Sequence, residues 1–277
     1  MPIITLTTDF GYKDPYAGAV KGAIYSQFPD ARIVDISHDV TPFSVDEAAF
    51  MIYTSYSQFP KGTVHVIGVD AEHTPESPHI AALLDDHYFV CADNGVLSFI
   101  LQKFRPTKAV VINIHDRIYS NFTVLDAFVQ VACHIKRGGT LEVIGEPITE
   151  LKSLPGILPI LSNDSTSIRG KVIFIDNYGN AITNISRDVF ESYGKGRNFI
   201  LQARDQKFIR IYNRYSEIVK YDENGKSNKP DGKGLALFNN SGYLELATYK
   251  SNPLTVGSAS SLFGLEINAP VTIQFES

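Results

Sequence analysis

The feature that most constrains this chain is a regular alternation of short β-branched runs and helical segments over residues 1–150. The runs that predict the first three strands are residues 3–8, 31–36 and 63–69. Asp9, Asp35 and Asp70 stand at or near their ends. Helices are predicted over 16–27, 45–59, 94–102 and 125–136, a hairpin over 79–84 and 88–92, and a strand over 109–114. Strands alternating with helices predict an α/β domain with a mostly parallel sheet flanked by helices.

The pattern changes after residue 150. Residues 153–168 contain Pro155, Pro159 and several Ser and Thr residues, and indicate a linker. Strands dominate afterwards, and they are predicted over 171–176, 198–203, 207–212, 235–239, 243–247 and 270–275. We therefore expect an N-terminal α/β domain over 1–152, the linker over 153–168 and a C-terminal all-β barrel domain over 169–277.

Composition excludes several classes of protein. The 277 residues have a net charge of −5, which argues against a nucleic-acid partner. No run of about 18 apolar residues is present, so no membrane span is expected. The N-terminus lacks the pattern of a signal peptide. Cys91 and Cys133 lie in apolar segments, which is typical of buried free thiols in a reducing, cytoplasmic setting.

Acidic residues are concentrated in the first part of the chain. Residues 1–100 hold four Lys and Arg against thirteen Asp and Glu, a net charge of −9. Such an excess is consistent with a cationic ligand, and also with a solvated acidic surface.

Three local patterns each allow a functional and a purely structural interpretation. Asp9, closed by Gly11, is placed to accept hydrogen bonds from a ribose diol or to form a turn. His73 and His79 offer a weak metal site, since no cysteine is near them. The segments 176–180 and 238–243 are hairpin turns by default, although their side-chain amides can also pair with an adenine edge.

Taken in order, these segments resemble the S-adenosylmethionine (SAM) hydroxide adenosyltransferases, or SAM hydrolases, which are relatives of the fluorinating and chlorinating SAM enzymes. The resemblance extends over almost the whole chain. The segments that carry it are 7–11 with Asp14 and Tyr16, 21–22, 33–38 with 41–42, 59–65, 69–70, 93–95, 175–180, 183–184 and 239–247.

The resemblance implies an α/β domain, a β-barrel and a homotrimer with SAM or adenosine bound between neighbouring subunits. The implied ligand residues are Asp9 and Phe43 for the ribose, Asp14 and Asp176 for the methionine ammonium, Tyr178 and Asn180 for the adenine, and Asn240 and Ser241 for the methionine carboxylate. The implied reaction is attack of water or hydroxide at C5′ of SAM, which gives adenosine and methionine. We expect no metal and no redox cofactor.

The chain departs from the family pattern at the water-activating residues. Asp70 matches the usual Asp, but Ser77 and Thr123 stand where the family has Arg and His. We therefore expect Asp70, Ser77 and Thr123 at a slower catalytic centre, with His73 or His79 as a candidate substitute base. The alternatives are a non-catalytic SAM or adenosine binder and an enzyme that uses another nucleophile.

Overall fold

The fold is that of a computed structural model, which describes residues 2–115 and 122–276. The chain divides into two compact units, Met1–Pro155 and Gly156–Ser277. The division lies inside the segment 153–168 that the sequence marks as a linker, and this segment also contains a short strand. The domain limits taken from the sequence stay a prediction.

The first unit is built on a seven-stranded sheet. Its strands are β1 (Ile3–Thr8), β2 (Arg32–Ser37), β3 (Val64–Gly68), β4 (His79–Leu84), β5 (His87–Ala92), β6 (Lys108–Ile112) and β7 (Gly145–Pro147). Their order is β2-β1-β3-β5-β4-β6-β7. The first four strands of that order pair in parallel, and β4, β6 and β7 add antiparallel pairs. The predicted α/β class is confirmed, with the parallel pairs confined to one half of the sheet.

The direction of the sheet reverses at the β4–β5 hairpin. Asp85 and Asp86 form its two-residue connection, with φ of 48° and 61°. Positive φ at both positions matches the right-handed twist of the flanking strands. The Tyr56 hydroxyl donates to Asp85 Oδ2 at 3.1 Å and the Lys61 ammonium donates to Asp86 Oδ2 at 2.6 Å. The turn is therefore held by side chains from the preceding segment.

Helices pack on this sheet. They are α1 (Tyr16–Gln27), α2 (Val45–Ser55), α3 (Ser98–Leu101) and α4 (Val129–Lys136), with a π-helical turn at Val124–Phe128 and 3₁₀ turns at Tyr56–Gln58 and Leu141–Val143. The helix predicted over 94–102 is shorter than expected, because Gly95 has a φ of +96°, outside the range of a right-handed helix. The helix predicted over 125–136 opens with the π-helical turn instead of a regular α-helical turn.

The second unit is a nine-stranded sheet, nearly closed into a barrel, which confirms the predicted class. Its strands are β8 (Ile160–Leu161), β9 (Ser167–Ile175), β10 (Ala181–Ser186), β11 (Phe199–Ala203), β12 (Gln206–Phe208), β13 (Ile211–Tyr212), β14 (Gly234–Phe238), β15 (Tyr243–Thr248) and β16 (Pro270–Phe275). It also carries α5 (Arg187–Gly194), α6 (Ala259–Phe263) and a 3₁₀ turn at Tyr215–Ile218. Sequence patterning missed β10, whose register shifts against both neighbours break its alternation.

Two expectations from composition can be compared with the fold. Cys91 and Cys133 are free and buried, as expected. Burial raises the pKa of the Cys91 thiol, which keeps it protonated and unreactive. Within residues 2–115 and 122–276, no helix is long and apolar enough to cross a membrane.

A buried histidine lies within the parallel half of the sheet. His65 is 0% exposed. Its Nδ1 lies 2.7 Å from Thr5 Oγ1, and its Nε2 lies 3.2 Å from Nδ1 of His87. Burial, and then repulsion from His87 and Lys136, lower the pKa of His65 from 6.5 to about 3. The folded state therefore keeps this ring neutral while the unfolded chain binds a proton at mildly acidic pH.

We expect acid to destabilise the protein through this group. As the pH falls from about 6.5 towards about 3, His65 binds a proton in the unfolded state but stays neutral in the folded state. The free energy of unfolding then drops by up to about 1.4 kcal/mol per pH unit for this one ring. His65→Phe removes that increment, and it costs about 1–3 kcal/mol at neutral pH because Thr5 and His87 lose a partner.

Urea unfolding at several pH values measures both effects. Phe59→Leu is the matched control, because Phe59 packs edge-on against the His65 ring at 5.7 Å and does not titrate. The control should be destabilised but keep the wild-type pH slope. An unchanged slope in His65→Phe would contradict the assignment.

Candidate active site

A cavity of about 610 Å³ lies at the carboxyl ends of β1 and β3 in the first unit. Polar ligands typically bind beyond such strand ends in parallel sheets. The residues that line the cavity are Asp9, Phe10, Phe43, Gly68, Asp70, Ala71, Glu72, His73, Phe122, Thr123 and Val124. Four of the residues predicted from the sequence, Asp9, Phe43, Asp70 and Thr123, are therefore brought together in one place.

The Asp9 carboxylate joins the end of β1 to the loop before α2. Its Oδ2 accepts the Phe43 N–H at 2.9 Å. Phe43 has a φ of 63° and its side chain is 74% exposed. A left-handed conformation costs a non-glycine residue about 1–2 kcal/mol, so the charge-assisted hydrogen bond stabilises an unfavourable backbone. The aromatic ring is consequently held at the wall of the cavity and not in the core.

Asp70 also has a left-handed backbone, with a φ of 45°. Its carbonyl accepts the Asn94 Nδ2–H at 3.0 Å, and the carbonyl of Val69 accepts from the same amide at 3.1 Å. The side chain of Asp70 is exposed, so its carboxylate is available to a ligand. Strained residues are concentrated at functional sites in many proteins, and two of them line this cavity.

A chain of side chains fixes the turn that carries Asp9. Thr8 Oγ1 lies 2.7 Å from His38 Nδ1, and His38 Nε2 lies 3.2 Å from Asp35 Oδ1. Asp35 Oδ2 accepts from Lys21 Nζ at 2.5 Å. Partial burial opposes ionisation of Asp35, but the Lys21 hydrogen bond and the charge of His38 lower its pKa. The His38 carbonyl accepts the Gly11 N–H at 2.7 Å, which closes the turn.

The connected side chains of Asp35, His38 and Thr8 have the order carboxylate, imidazole, hydroxyl that activates nucleophiles in hydrolases. Thr8, however, is 0% exposed. A nucleophile has to reach the substrate, so the arrangement does not perform nucleophilic catalysis. Its effect is to hold the first strand end and its carboxylate in position.

The cavity is acidic and partly aromatic. Asp9, Asp70 and Glu72 contribute carboxylates, and Phe43 is one of three phenylalanines at the wall. Among the described residues that line it, none is Lys or Arg. A wall with this charge favours a cationic ligand and disfavours a phosphate.

The remaining predicted residues of the first unit lie outside the cavity lining. Ser77 is in the loop after β3, where its N–H donates to Thr74 Oγ1 at 3.0 Å. Asp14 is exposed in the turn before α1. Their roles in catalysis and in binding the methionine ammonium stay predictions.

Three imidazoles cluster beside the cavity. His73 lines it and stacks on His115 with ring centroids 4.2 Å apart. His115 Nε2 lies 2.7 Å from His79 Nδ1. The sequence offered His73 and His79 as a weak metal pair but had no signal for His115, which is distant along the chain. The described residues contain no group of three His, Cys, Asp or Glu side chains that could hold a metal ion.

In the second unit, Asp176 organises the turn between β9 and β10. Its Oδ1 accepts the backbone N–H groups of Tyr178 and Asn180, each at 2.9 Å, and its Oδ2 accepts the Asn180 side-chain amide at 2.9 Å. Tyr178 is 62% exposed, whereas Asn180 is buried and its Oδ1 has no partner in the described chain. An exposed ring beside an unpaired amide oxygen is consistent with the predicted adenine contacts.

The turn between β14 and β15 contains the other two predicted residues. Asn239 Oδ1 accepts the N–H groups of Ser241 at 3.0 Å and Tyr243 at 3.1 Å. Asn240 is exposed and Ser241 is half-buried at its tip. These polar groups are accessible to a ligand, and their predicted contact with a carboxylate stays a prediction.

Sequence reasoning missed one ionisable pair in this unit. The Tyr215 hydroxyl donates to the Glu245 carboxylate on β15. Burial raises the pKa of Glu245, and the charge of Asp176 raises it further. A single Glu in an apolar strand carries no signal of its partner, which comes from a separate 3₁₀ turn.

Comparison with known proteins agrees with this geometry. Residues 4–145 match the SAM hydroxide adenosyltransferase N-terminal domain, and residues 170–272 match the corresponding C-terminal domain. A curated (R)-S-adenosyl-L-methionine hydrolase from Methanocaldococcus jannaschii is 30% identical over 277 aligned positions, covering 96% of each chain. A fluorinase from Actinopolyspora mzabensis is 24% identical, covering 70% of this chain and 75% of its own.

A solved structure has the same fold along nearly the whole chain. It is an uncharacterized conserved protein from Thermotoga maritima, with a TM-score of 0.81, 26% identity, and coverage of 98% of this chain and 99% of that chain. The two domain matches span most of the sequence in the order in which its two units occur. This chain therefore belongs to the SAM hydroxide adenosyltransferase family.

Proposed function

We propose that this protein hydrolyses S-adenosylmethionine to adenosine and methionine in the cavity at the ends of β1 and β3. The observation that carries the proposal is the charge of that cavity, where Asp9, Asp70 and Glu72 contribute carboxylates and none of the described lining residues is Lys or Arg. SAM carries a sulfonium cation, and this acidic wall attracts it. The similarity to curated SAM hydrolases over 96% of the chain supports the same substrate.

The reaction is an in-line displacement at C5′ of the adenosyl group. The oxygen of a water molecule forms the bond to C5′ while the C5′–S bond breaks. Its electron pair goes to sulfur, which leaves as the neutral thioether of methionine, and one proton is released. Holding water and SAM in line contributes several kcal/mol of rate enhancement, with an upper range of about 7–11 kcal/mol.

The cavity residues have distinct roles in this proposal. Asp9 accepts the ribose hydroxyls, because a carboxylate retains acceptor capacity beyond its bond to the Phe43 N–H. Phe43 covers the ribose. Asp70 and Thr123 lie where the water is bound. Asp14 binds the methionine ammonium, and Ser77 is the residue that stands at the family pattern's Arg position.

A second candidate function follows from one observation. No Arg or Lys is found among the described residues at the cavity wall, so none of those residues supplies a cation that would orient Asp70. A protein that binds SAM and releases it intact, as a sensor or a sink, would have the same pocket without the chemistry.

Incubation with SAM in heavy-oxygen water separates the two candidates. Hydrolysis places the heavy oxygen on C5′ of adenosine, and mass spectrometry detects it above a control without protein. Intact SAM recovered from a protein that binds it would support the binder. An adenosyl product without the label would indicate another nucleophile.

Two substitutions at Asp9 test the assigned pocket. Asp9→Ala removes both the charge and the bond to Phe43, and SAM binding should be lost. Asp9→Asn retains an oxygen for the Phe43 N–H but removes the charge, so the dissociation constant for SAM should rise about tenfold or more, equivalent to about 1.4 kcal/mol. Calorimetry measures both.

Asp30→Asn is the matched control, because Asp30 is exposed in the same unit and is not part of the cavity wall. Its affinity for SAM should equal that of the wild type. Wild-type affinity in Asp9→Ala would show that SAM binds elsewhere.

We further propose a homotrimer in which Asp176, Tyr178, Asn180, Asn240 and Ser241 of one subunit complete the cavity of its neighbour. The family resemblance implies this arrangement, and the exposed Tyr178 and Asn240 support it. Light scattering should give about three times the chain mass of 30.6 kDa.

The cytoplasmic location expected from the sequence stays a prediction.

Mixed oligomers test whether the site is shared. Asp9→Ala and Asp176→Ala are each expected to be inactive, since each lacks one half of every site. Refolding or co-expressing the two together should restore activity at roughly a quarter of the sites, because one in four neighbouring pairs is intact on both sides. An inactive mixture with the mass of a trimer would place the whole site in one subunit.

A further inference from the structure

In the cluster of three imidazoles beside the cavity, His79 and His115 are joined by a hydrogen bond, and His73 is held by ring stacking. His79 Nε2 lies 3.0 Å from the carbonyl oxygen of Ala71, and His79 Nδ1 lies 2.7 Å from His115 Nε2. The His115 ring is stacked under that of His73, with 26° between the planes. Phe128 packs edge-on against His79 at 4.7 Å and closes the other side.

The carbonyl of Ala71 determines the protonation pattern of the connected pair. A carbonyl only accepts, so His79 Nε2 must carry a hydrogen. In the neutral ring, His79 Nδ1 is then an acceptor, and His115 Nε2 must donate to it. Both nitrogens of His79 are thus engaged, and the ring is 0% exposed.

His79 is therefore unsuitable as a base for the reaction. Burial lowers its pKa from 6.5 to about 4, opposed by the hydrogen bond to Ala71 and reinforced by repulsion from His115 and His73. The ring stays neutral at physiological pH and serves as a rigid support. His73 is the member of the cluster that reaches the cavity wall, beside Asp70 and Glu72.

We propose that His73 is the general base that accepts the proton of the attacking water, and that His115 and His79 position its ring. This inference rests on the proposed hydrolysis of SAM. As the water oxygen bonds to C5′ and the C5′–S bond breaks, one water proton passes to an imidazole nitrogen of His73. The imidazolium then returns the proton to solvent, and the ring is neutral for the next cycle.

The surroundings suit this role. Asp9, Asp70 and Glu72 are the carboxylates of the same cavity, and His79 and His115 are the titratable rings packed on His73. The stacked ring of His115 holds the His73 ring in place, and the carboxylates give the cavity an acidic wall. A base works best when its pKa is near the operating pH, which imidazoles generally satisfy and carboxylates generally do not.

Thr123 occupies the position where the family pattern has a histidine, and a hydroxyl is too weak an acid or base for this step. The cavity wall contains an imidazole from a different loop, that of His73 in the loop that follows β3. The chain thus supplies the same type of group from a different position in the sequence.

Substitution of His73 tests the base directly. His73→Ala should lower kcat for SAM hydrolysis by about a hundredfold or more, the usual effect of losing a general base. The dissociation constant for SAM, measured by calorimetry in a time short compared with turnover, should change little. The wild-type kcat should fall towards acid pH as the base is protonated, and this acidic limb should be absent in His73→Ala. Added imidazole should restore part of the rate.

Substitution of His79 tests the positioning role. His79→Gln retains a donor for the Ala71 carbonyl and an acceptor for His115, so kcat and the acidic limb should stay near those of the wild type. His79→Leu removes both groups and should lower kcat without a matching change in SAM affinity. Circular dichroism and urea unfolding identify any loss caused by misfolding, in which case the His79→Gln result decides the positioning role.

His134→Gln is the control for removing an imidazole elsewhere. His134 lies on α4 and bonds to the carbonyl of Thr140 at 3.0 Å, which a glutamine amide can also do. It should leave kcat and the pH profile unchanged.

If the wild type hydrolyses SAM and His73→Ala has the same kcat and acidic limb, His73 is not the base, although the proposed function stands. If the wild type binds SAM and never yields labelled adenosine, the proposed function itself fails.

Discussion

The parallel pairing of β1 with β2 and β3 is the constraint on which the rest of this structure depends. Parallel strands bring their carboxyl ends to one edge, so the residues that follow them meet although they are far apart along the chain. Asp9 and Asp70 come together in this way at one cavity. A one-residue slip of β1 would turn Thr8 away from His38 and move Asp9 to the other face.

Two kinds of polar interaction then fix the cavity. The Asp9 carboxylate holds the Phe43 N–H, and Asn94 holds the carbonyl of Asp70. Each supports a backbone with positive φ, which neither residue adopts at no cost. Behind them, the connection from Thr8 through His38 and Asp35 to Lys21 is buried or half-buried, and it secures the turn that carries Asp9. The result is an acidic site whose carboxylates are exposed to a ligand.

The chemistry proposed for this site uses that charge distribution. A sulfonium is attracted by carboxylates, which favours binding of SAM, and the sulfur leaves as a neutral thioether. The proton released from water needs an acceptor that is unprotonated beforehand and whose usual pKa lies near neutral pH. The histidine cluster supplies one, because the Ala71 carbonyl and burial keep His79 uncharged and His115 in a defined tautomer.

The sequence by itself determined the class of each unit, the order of the main elements and the family. Its strand and helix periodicities are local properties, and the aspartates at strand ends are visible in the same pattern. Periodicity did not predict the π-helical turn at Val124–Phe128 or strand β10, because the first departs from the helical period and the second contains register shifts. The family pattern alone was enough to assign four residues to one site, although it gave no distances between them: Asp9, Phe43, Asp70 and Thr123.

Only the tertiary structure decided which histidine reaches the cavity and which is a support. His115 is separated from His73 and His79 along the chain by several strands and a helix, and a lone histidine has no signal of its partners. Their roles depend on a carbonyl that accepts one N–H and on a stacking distance of 4.2 Å. Such directional and through-space contacts exist only after segments that are distant along the chain have folded together, which is why no local pattern contains them.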